Sequence, residues 1–81
     1  MTIDEAVNNL KTKIAGLSAK AVFHVKKISD EEVRMSVYVS PDQVEPIHDA
    51  IRDDTVQILV KEGLDVQVFV YNIENDKPPE S

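Results

Sequence analysis

Cysteine and tryptophan are absent from this 81-residue chain, and glycine occurs only twice. Without cysteine the protein has neither disulfides nor thiolate metal ligands, so its fold must be held by the burial of apolar side chains. Both glycines, Gly16 and Gly63, follow segments with helical periodicity. This position predicts helix C-termini rather than a phosphate-binding loop. We therefore expect no cofactor.

Basic residues are few as well. Nine lysines and arginines stand against fifteen aspartates and glutamates, which gives a net charge of −6. Proteins that bind nucleic acid place clustered Lys and Arg against the phosphates. Lys26 and Lys27 form the only adjacent basic pair in this chain. Nucleic acid is therefore disfavoured as a partner.

Long apolar runs and a signal-peptide pattern are also lacking. The N-terminus carries Asp4 and Glu5, whereas a signal peptide begins with a basic segment followed by an apolar one. No apolar stretch approaches the roughly 18 residues that a membrane span needs. We expect a cytoplasmic location without a membrane partner.

The first ordered element is predicted to be an amphipathic helix at 3–15. Thr2 and Glu5 have the spacing of a capping box, in which each side chain binds the other residue's backbone amide. Apolar residues then recur at helical spacing. They are Ile3, Val7, Leu10 and Ile14. Gly16 is expected to end the helix in a left-handed conformation.

A second helix is predicted further along, and its start is ambiguous. Ser40 opens another capping pattern, but Pro46 cannot donate to the carbonyl four residues earlier. Either the helix kinks at Pro46, or 41–44 is a separate turn. We favour a main helix over 46–62 that ends at Gly63. Its inner face is predicted to consist of Val44, Ile47, Ile51, Thr55, Ile58 and Leu59.

Three segments rich in β-branched and aromatic residues are predicted to be strands, at 20–28, 33–39 and 64–73. We expect a two-layer α+β domain over 1–73, in the order α-β-β-α-β, with both helices on one face of a three-stranded mixed sheet. The third strand can pair directly with the second, or the first strand can lie between the second and the third. We favour the arrangement with the first strand in the centre. Residues 74–81 are predicted to be a disordered tail.

The sheet face opposite the helices is predicted to carry three aromatic residues and a histidine. An exposed face of this kind usually meets a partner. We therefore predict a small non-enzymatic interaction module, most simply a homodimer packed sheet to sheet, or one bound to another protein. The expected interface residues are Tyr38, Phe69, Tyr71 and His24. The alternative is a solvated face with scattered aromatics.

The outer side of the second helix offers two further features. Acidic residues recur there at helical spacing, at Asp42, Glu45, Asp49 and Asp53. Such a row is typical of a solvated face, and it also suits a basic partner. Val56 and Val60 lie toward the same side and indicate a contact beyond the helix–sheet core.

The chain has two histidines, His24 and His48. His48 stands beside Asp49, with Glu45 one turn earlier, and this spacing suits an imidazole and two carboxylates around a divalent cation. A metal-responsive domain that uses these three residues is the alternative function, and ordinary surface histidines are the other interpretation. The serines lie in no nucleophile motif, so no enzymatic activity is predicted.

The order α-β-β-α-β over 3–73 resembles the cytosolic C-terminal domain of cation diffusion facilitator transporters. The local similarity runs from Val39 to His48, where a strand end, a Pro-Asp turn and a helical histidine follow one another. The resemblance implies a domain that dimerises and can bind divalent metal, and only His48 matches the family's histidines. The order also resembles the type II KH-like fold of ribosome-assembly factors, whose basic surface and glycine loop this chain lacks.

Overall fold

The structure, a computed structural model, describes residues 1–75. It confirms the predicted α+β class and the order α-β-β-α-β. The elements in chain order are helix α1 (Ile3–Leu17), strands β1 (Val22–Lys27) and β2 (Glu32–Val39), a 3-10 turn (Pro41–Gln43), helix α2 (Val44–Glu62) and strand β3 (Asp65–Asn72). Residues 76–81 of the predicted tail lie outside the described part of the chain.

Helix α1 begins at the predicted capping box. The Glu5 amide donates to Thr2 Oγ1 at 3.2 Å, and the Thr2 amide donates to Glu5 Oε1 at 3.4 Å. The prediction that Gly16 ends this helix is wrong, because α1 continues to Leu17. Ser18 ends it in an extended conformation and donates its amide to the Ile14 carbonyl at 2.8 Å. No left-handed residue is therefore needed.

Helix α2 begins two residues before the predicted start and places Pro46 in its first turn. Amides of the first turn have no partner within a helix, so a proline there removes no hydrogen bond. The Pro41–Gln43 turn precedes the helix as a separate 3-10 element. Gly63 ends α2 as predicted, with φ of 68° and its amide donating to the Leu59 carbonyl at 3.0 Å.

The sheet has the strand order β1-β2-β3, with β1 antiparallel and β3 parallel to β2. The favoured arrangement with the first strand in the centre is therefore wrong. The central strand β2 has the most deeply buried side chains of the sheet. By contrast, β1 is an edge strand and carries Lys26 and Lys27. At an edge, charged side chains remain hydrated and discourage further strand pairing.

One apolar core lies between the sheet and the two helices. Its buried strand residues are Val33, Met35, Val37 and Val39 on β2 and Val66 on β3. Ile47 and Ile51 enter it from α2, whereas Leu59, also predicted to face inward, is 51% exposed. Within residues 1–75 neither helix is long and apolar enough to cross a membrane.

Candidate interaction surface

The sheet face turned away from the helices, called here the open face, is ordered into rows by the strand register. Each row takes one residue from β1, one from β2 and one from β3. The rows are Val22–Tyr38–Tyr71, His24–Ser36–Phe69 and Lys26–Arg34–Gln67. The structure therefore brings all four predicted interface residues to one face, in two adjacent rows.

Tyr38 and Tyr71 occupy the apolar end of the open face. Their rings stack across the β2–β3 pair, with centroids 5.2 Å apart and planes inclined by 21°. Tyr38 is only 8% exposed and Tyr71 is half-buried. The expectation that Tyr38 is an exposed aromatic is therefore wrong. It lies on the central strand, where Val22 and Tyr71 flank it in the same row.

The apolar groups that the open face does expose come from the two edge strands. Phe69 on β3 is 44% exposed, and Val22 on β1 is 38% exposed. His24, also exposed, lies in the same row as Phe69, with Ser36 between them. A partner on this face would therefore cover Phe69 and Val22 while it rests on a rigid pair of tyrosine rings.

The other end of the open face is charged. Lys26 and Arg34 are both exposed in the third row. Gln67 completes that row and donates from Nε2 to Glu32 Oε2 at 2.9 Å and to Asp65 Oδ2 at 3.1 Å. The face therefore changes along the strands from apolar to basic to acidic, which restricts how a partner can be oriented.

The second predicted site lies on α2, where Glu45, His48 and Asp49 are exposed. Arg52 occupies the same surface, with Nη2 3.0 Å from Asp49 Oδ1 and 3.5 Å from His48 Nδ1. Its guanidinium places a positive charge where a cation would have to bind. Within residues 1–75 no group of three or more His, Cys, Asp and Glu side chains converges as metal ligands.

The predicted acidic row and outward valines all lie on the solvent side. Asp42, Glu45, Asp49 and Asp53 are exposed. Val56 is 52% exposed and Val60 is 75% exposed, and Leu59, one turn after Val56, adds a third exposed apolar side chain. The sequence assigned Leu59 to the inner face of the helix because helical spacing places it at the border of the apolar stripe.

Two shallow clefts lie on the surface of the described part of the chain. A cleft of about 250 Å³ lies between the helices, lined by Leu10 of α1 and by Asp54 and Ile58 of α2 among others. A smaller one of about 90 Å³ lies where Arg52 and Thr55 of α2 meet β3. Both are smaller than the roughly 300–1,000 Å³ typical of small-molecule sites.

Comparison with known proteins adds no relative. No family model, curated protein or solved structure matches the chain. The interpretation of its surfaces therefore depends on their geometry and chemistry.

Proposed function

We propose that this protein is a small non-enzymatic protein-interaction module that self-associates through the open face. The observation that carries the proposal is the adjacency of exposed Phe69 and Val22 to the stacked tyrosines on a face that no element covers in residues 1–75. Apolar side chains on a flat, preformed surface lose little conformational entropy on binding, so their burial favours association.

A twofold contact with the strands of the two copies antiparallel suits this face. If the two-fold axis lies between the rows of Phe69 and Tyr71, the row with the two tyrosines in each copy lies over the Phe69 row of the other copy. The basic row with Lys26 and Arg34 then falls at the rim, where its charges remain hydrated. An aromatic centre with a polar rim is the usual composition of a protein interface.

The experiment compares two substitutions on the open face with a matched one elsewhere. Phe69→Glu and Val22→Glu introduce a charge into the proposed contact, and Val60→Glu makes the same change on the outer side of α2. Size-exclusion chromatography with light scattering should give a multiple of the 9.1 kDa chain mass for wild type and for Val60→Glu. Both open-face variants should shift toward 9.1 kDa at the same concentration. A wild-type protein of 9.1 kDa at millimolar concentration would refute the proposal.

The metal-responsive alternative has weaker support. His48 and Asp49 have the spacing of ligands, but Arg52 contacts both side chains. A cation would have to displace this guanidinium and complete its coordination with water, because two exposed side chains on one helix are a small ligand set. A metal-responsive domain is therefore the competing hypothesis, and titration with zinc distinguishes it from an interaction module.

A further inference from the structure

Strand β3 has an unpaired edge in the described part of the chain. Its one neighbour is β2. At the two ends of this pair the Asp65 amide donates to the carbonyl of Glu31, just before β2, at 2.7 Å, and the Ile73 amide donates to the Val39 carbonyl at 2.9 Å. In a parallel pair alternate residues direct both backbone groups to the same neighbour. The amides and carbonyls of Val66, Val68 and Val70 therefore point away from β2, toward the unpaired edge.

This edge lacks the features that usually prevent strand addition. Natural edge strands carry lysine, proline, bulges or a short length. The register of β3 with β2 is continuous over eight residues, without a bulge. From Val66 to Asn72 the strand has neither a charged residue nor a proline. The opposite edge strand, β1, has six residues and ends with Lys26 and Lys27.

The side of α2 above this edge is exposed and carries Leu59 next to the polar and charged side chains of Thr55 and Arg52. Arg52 and Thr55 line the small cleft against Val68, so this side of the helix lies over β3. Asp54 is on the other side, where Lys13 of α1 pairs with it. Leu59 follows Thr55 by four residues and therefore shares its side. Leu59 is 51% exposed, and the adjoining Val56 is 52% exposed.

We infer that β3 pairs antiparallel with β3 of a second copy, which joins the two sheets into one of six strands. The two-fold axis is normal to the sheet, so the same operation brings the two α2 helices side by side and covers Leu59. This surface is independent of the open face. Its axis is perpendicular to that of a sheet-to-sheet contact, so the two contacts are different symmetry operations on different surfaces.

The partner of this edge is inferred to be a second copy of the chain because the β3 strand is complementary to itself in an antiparallel pair. Directly opposite residues in an antiparallel pair share a sheet face. Pairing centred on Val68 places Val66 opposite Val70, and pairing centred on Phe69 places Val68 opposite Val70. Asp65, the one charged residue of β3, then lies opposite Tyr71 or Ile73 and meets no like charge. Pairing of β3 with β1 would bring the edge lysines into the contact and would extend into open filaments.

Hydrogen exchange of backbone amides, followed by NMR, tests the inference on the unmodified protein. Phe69 donates toward β2 and should be protected at every concentration. Val66, Val68 and Val70 should exchange rapidly when the protein is dilute and become protected as its mass rises. If the mass doubles while these three amides keep exchanging rapidly, the edge inference is overturned and the open-face proposal stands. If the mass never rises, both fail.

Chemical synthesis provides a second test with a matched control. N-methylation of Val68 removes an amide hydrogen that faces the unpaired edge and leaves the pairing with β2 intact. N-methylation of Val25 makes the same change at the free edge of β1. The Ile28 amide, just after β1, donates to the Glu32 carbonyl, so the even residues of β1 bond to β2 and Val25 points away from it. The dimer dissociation constant of the Val68 analogue should be about tenfold or more above that of the Val25 analogue. Equal dissociation constants for the two analogues would overturn the inference.

Discussion

Tyr38 and Tyr71 stack at 5.2 Å across a parallel strand pair, and of the two rings only Tyr38 is buried. The half-buried ring of Tyr71 therefore covers part of the buried ring of Tyr38. This relationship links the stability of the monomer to the open face, because Tyr71 belongs both to the tyrosine pair and to the proposed contact.

Replacement of Tyr71 by alanine should lower the free energy of unfolding by about 2 kcal/mol, since it removes an aromatic pair and a half-buried ring. Tyr71→Phe keeps the ring and should change stability by less than about 0.5 kcal/mol. Urea unfolding followed by circular dichroism measures both. Equal losses for the two variants would show that the hydroxyl, and not the stacked ring, provides the stabilisation.

The two glycines should respond in opposite directions to alanine. Gly63 has φ of 68°, so Gly63→Ala strains the backbone and should cost about 1 kcal/mol. Gly16 lies within α1, so Gly16→Ala should stabilise the protein by up to about 1 kcal/mol.

A Cβ at either glycine would have no atom within 4 Å, so packing does not enter the comparison. Thermal melts of the two variants and wild type provide the measurement. A Gly63→Ala variant as stable as wild type would mean that α2 ends in another conformation in solution.

Loss of the α1 capping box should destabilise the protein without altering the core. Thr2→Ala removes the hydroxyl that accepts from the Glu5 amide and should cost about 1 kcal/mol. Thr2→Ser keeps the hydroxyl and serves as control. Chemical denaturation of both variants checks the effect, and an unstable serine variant would indicate that the threonine methyl group is what matters.

Zinc distinguishes the two functional hypotheses. If the protein is an interaction module, calorimetric titration of wild type with zinc should give no saturable heat, and His48→Ala should behave in the same way. If the metal-responsive alternative holds, wild type should bind and His48→Ala should not. Arg52→Ala provides a further readout, because removal of the competing guanidinium should strengthen any binding that occurs.

Local signals in the sequence were sufficient to predict the helices and strands and the face that each strand turns toward the core. The capping box at Thr2, the β-branched and aromatic segment at 33–39 and the glycine at 63 each act over a few residues, and the structure confirms all three. Boundary errors arose where two local solutions compete. At Gly16 an extended serine cap replaced the left-handed one, and at Pro46 the first helical turn accommodated the proline.

The sequence by itself determined the order of elements and which side chains of each strand turn toward the helices, because side-chain alternation and helical periodicity are properties of neighbouring residues. Only the tertiary structure decided that β2 is central, that Tyr38 is buried beside Tyr71, and that the uncharged edge of β3 lies beneath the exposed side of α2. These relationships join residues far apart in the chain. Their free energy comes from packing and strand pairing between whole elements, which no short window of sequence contains.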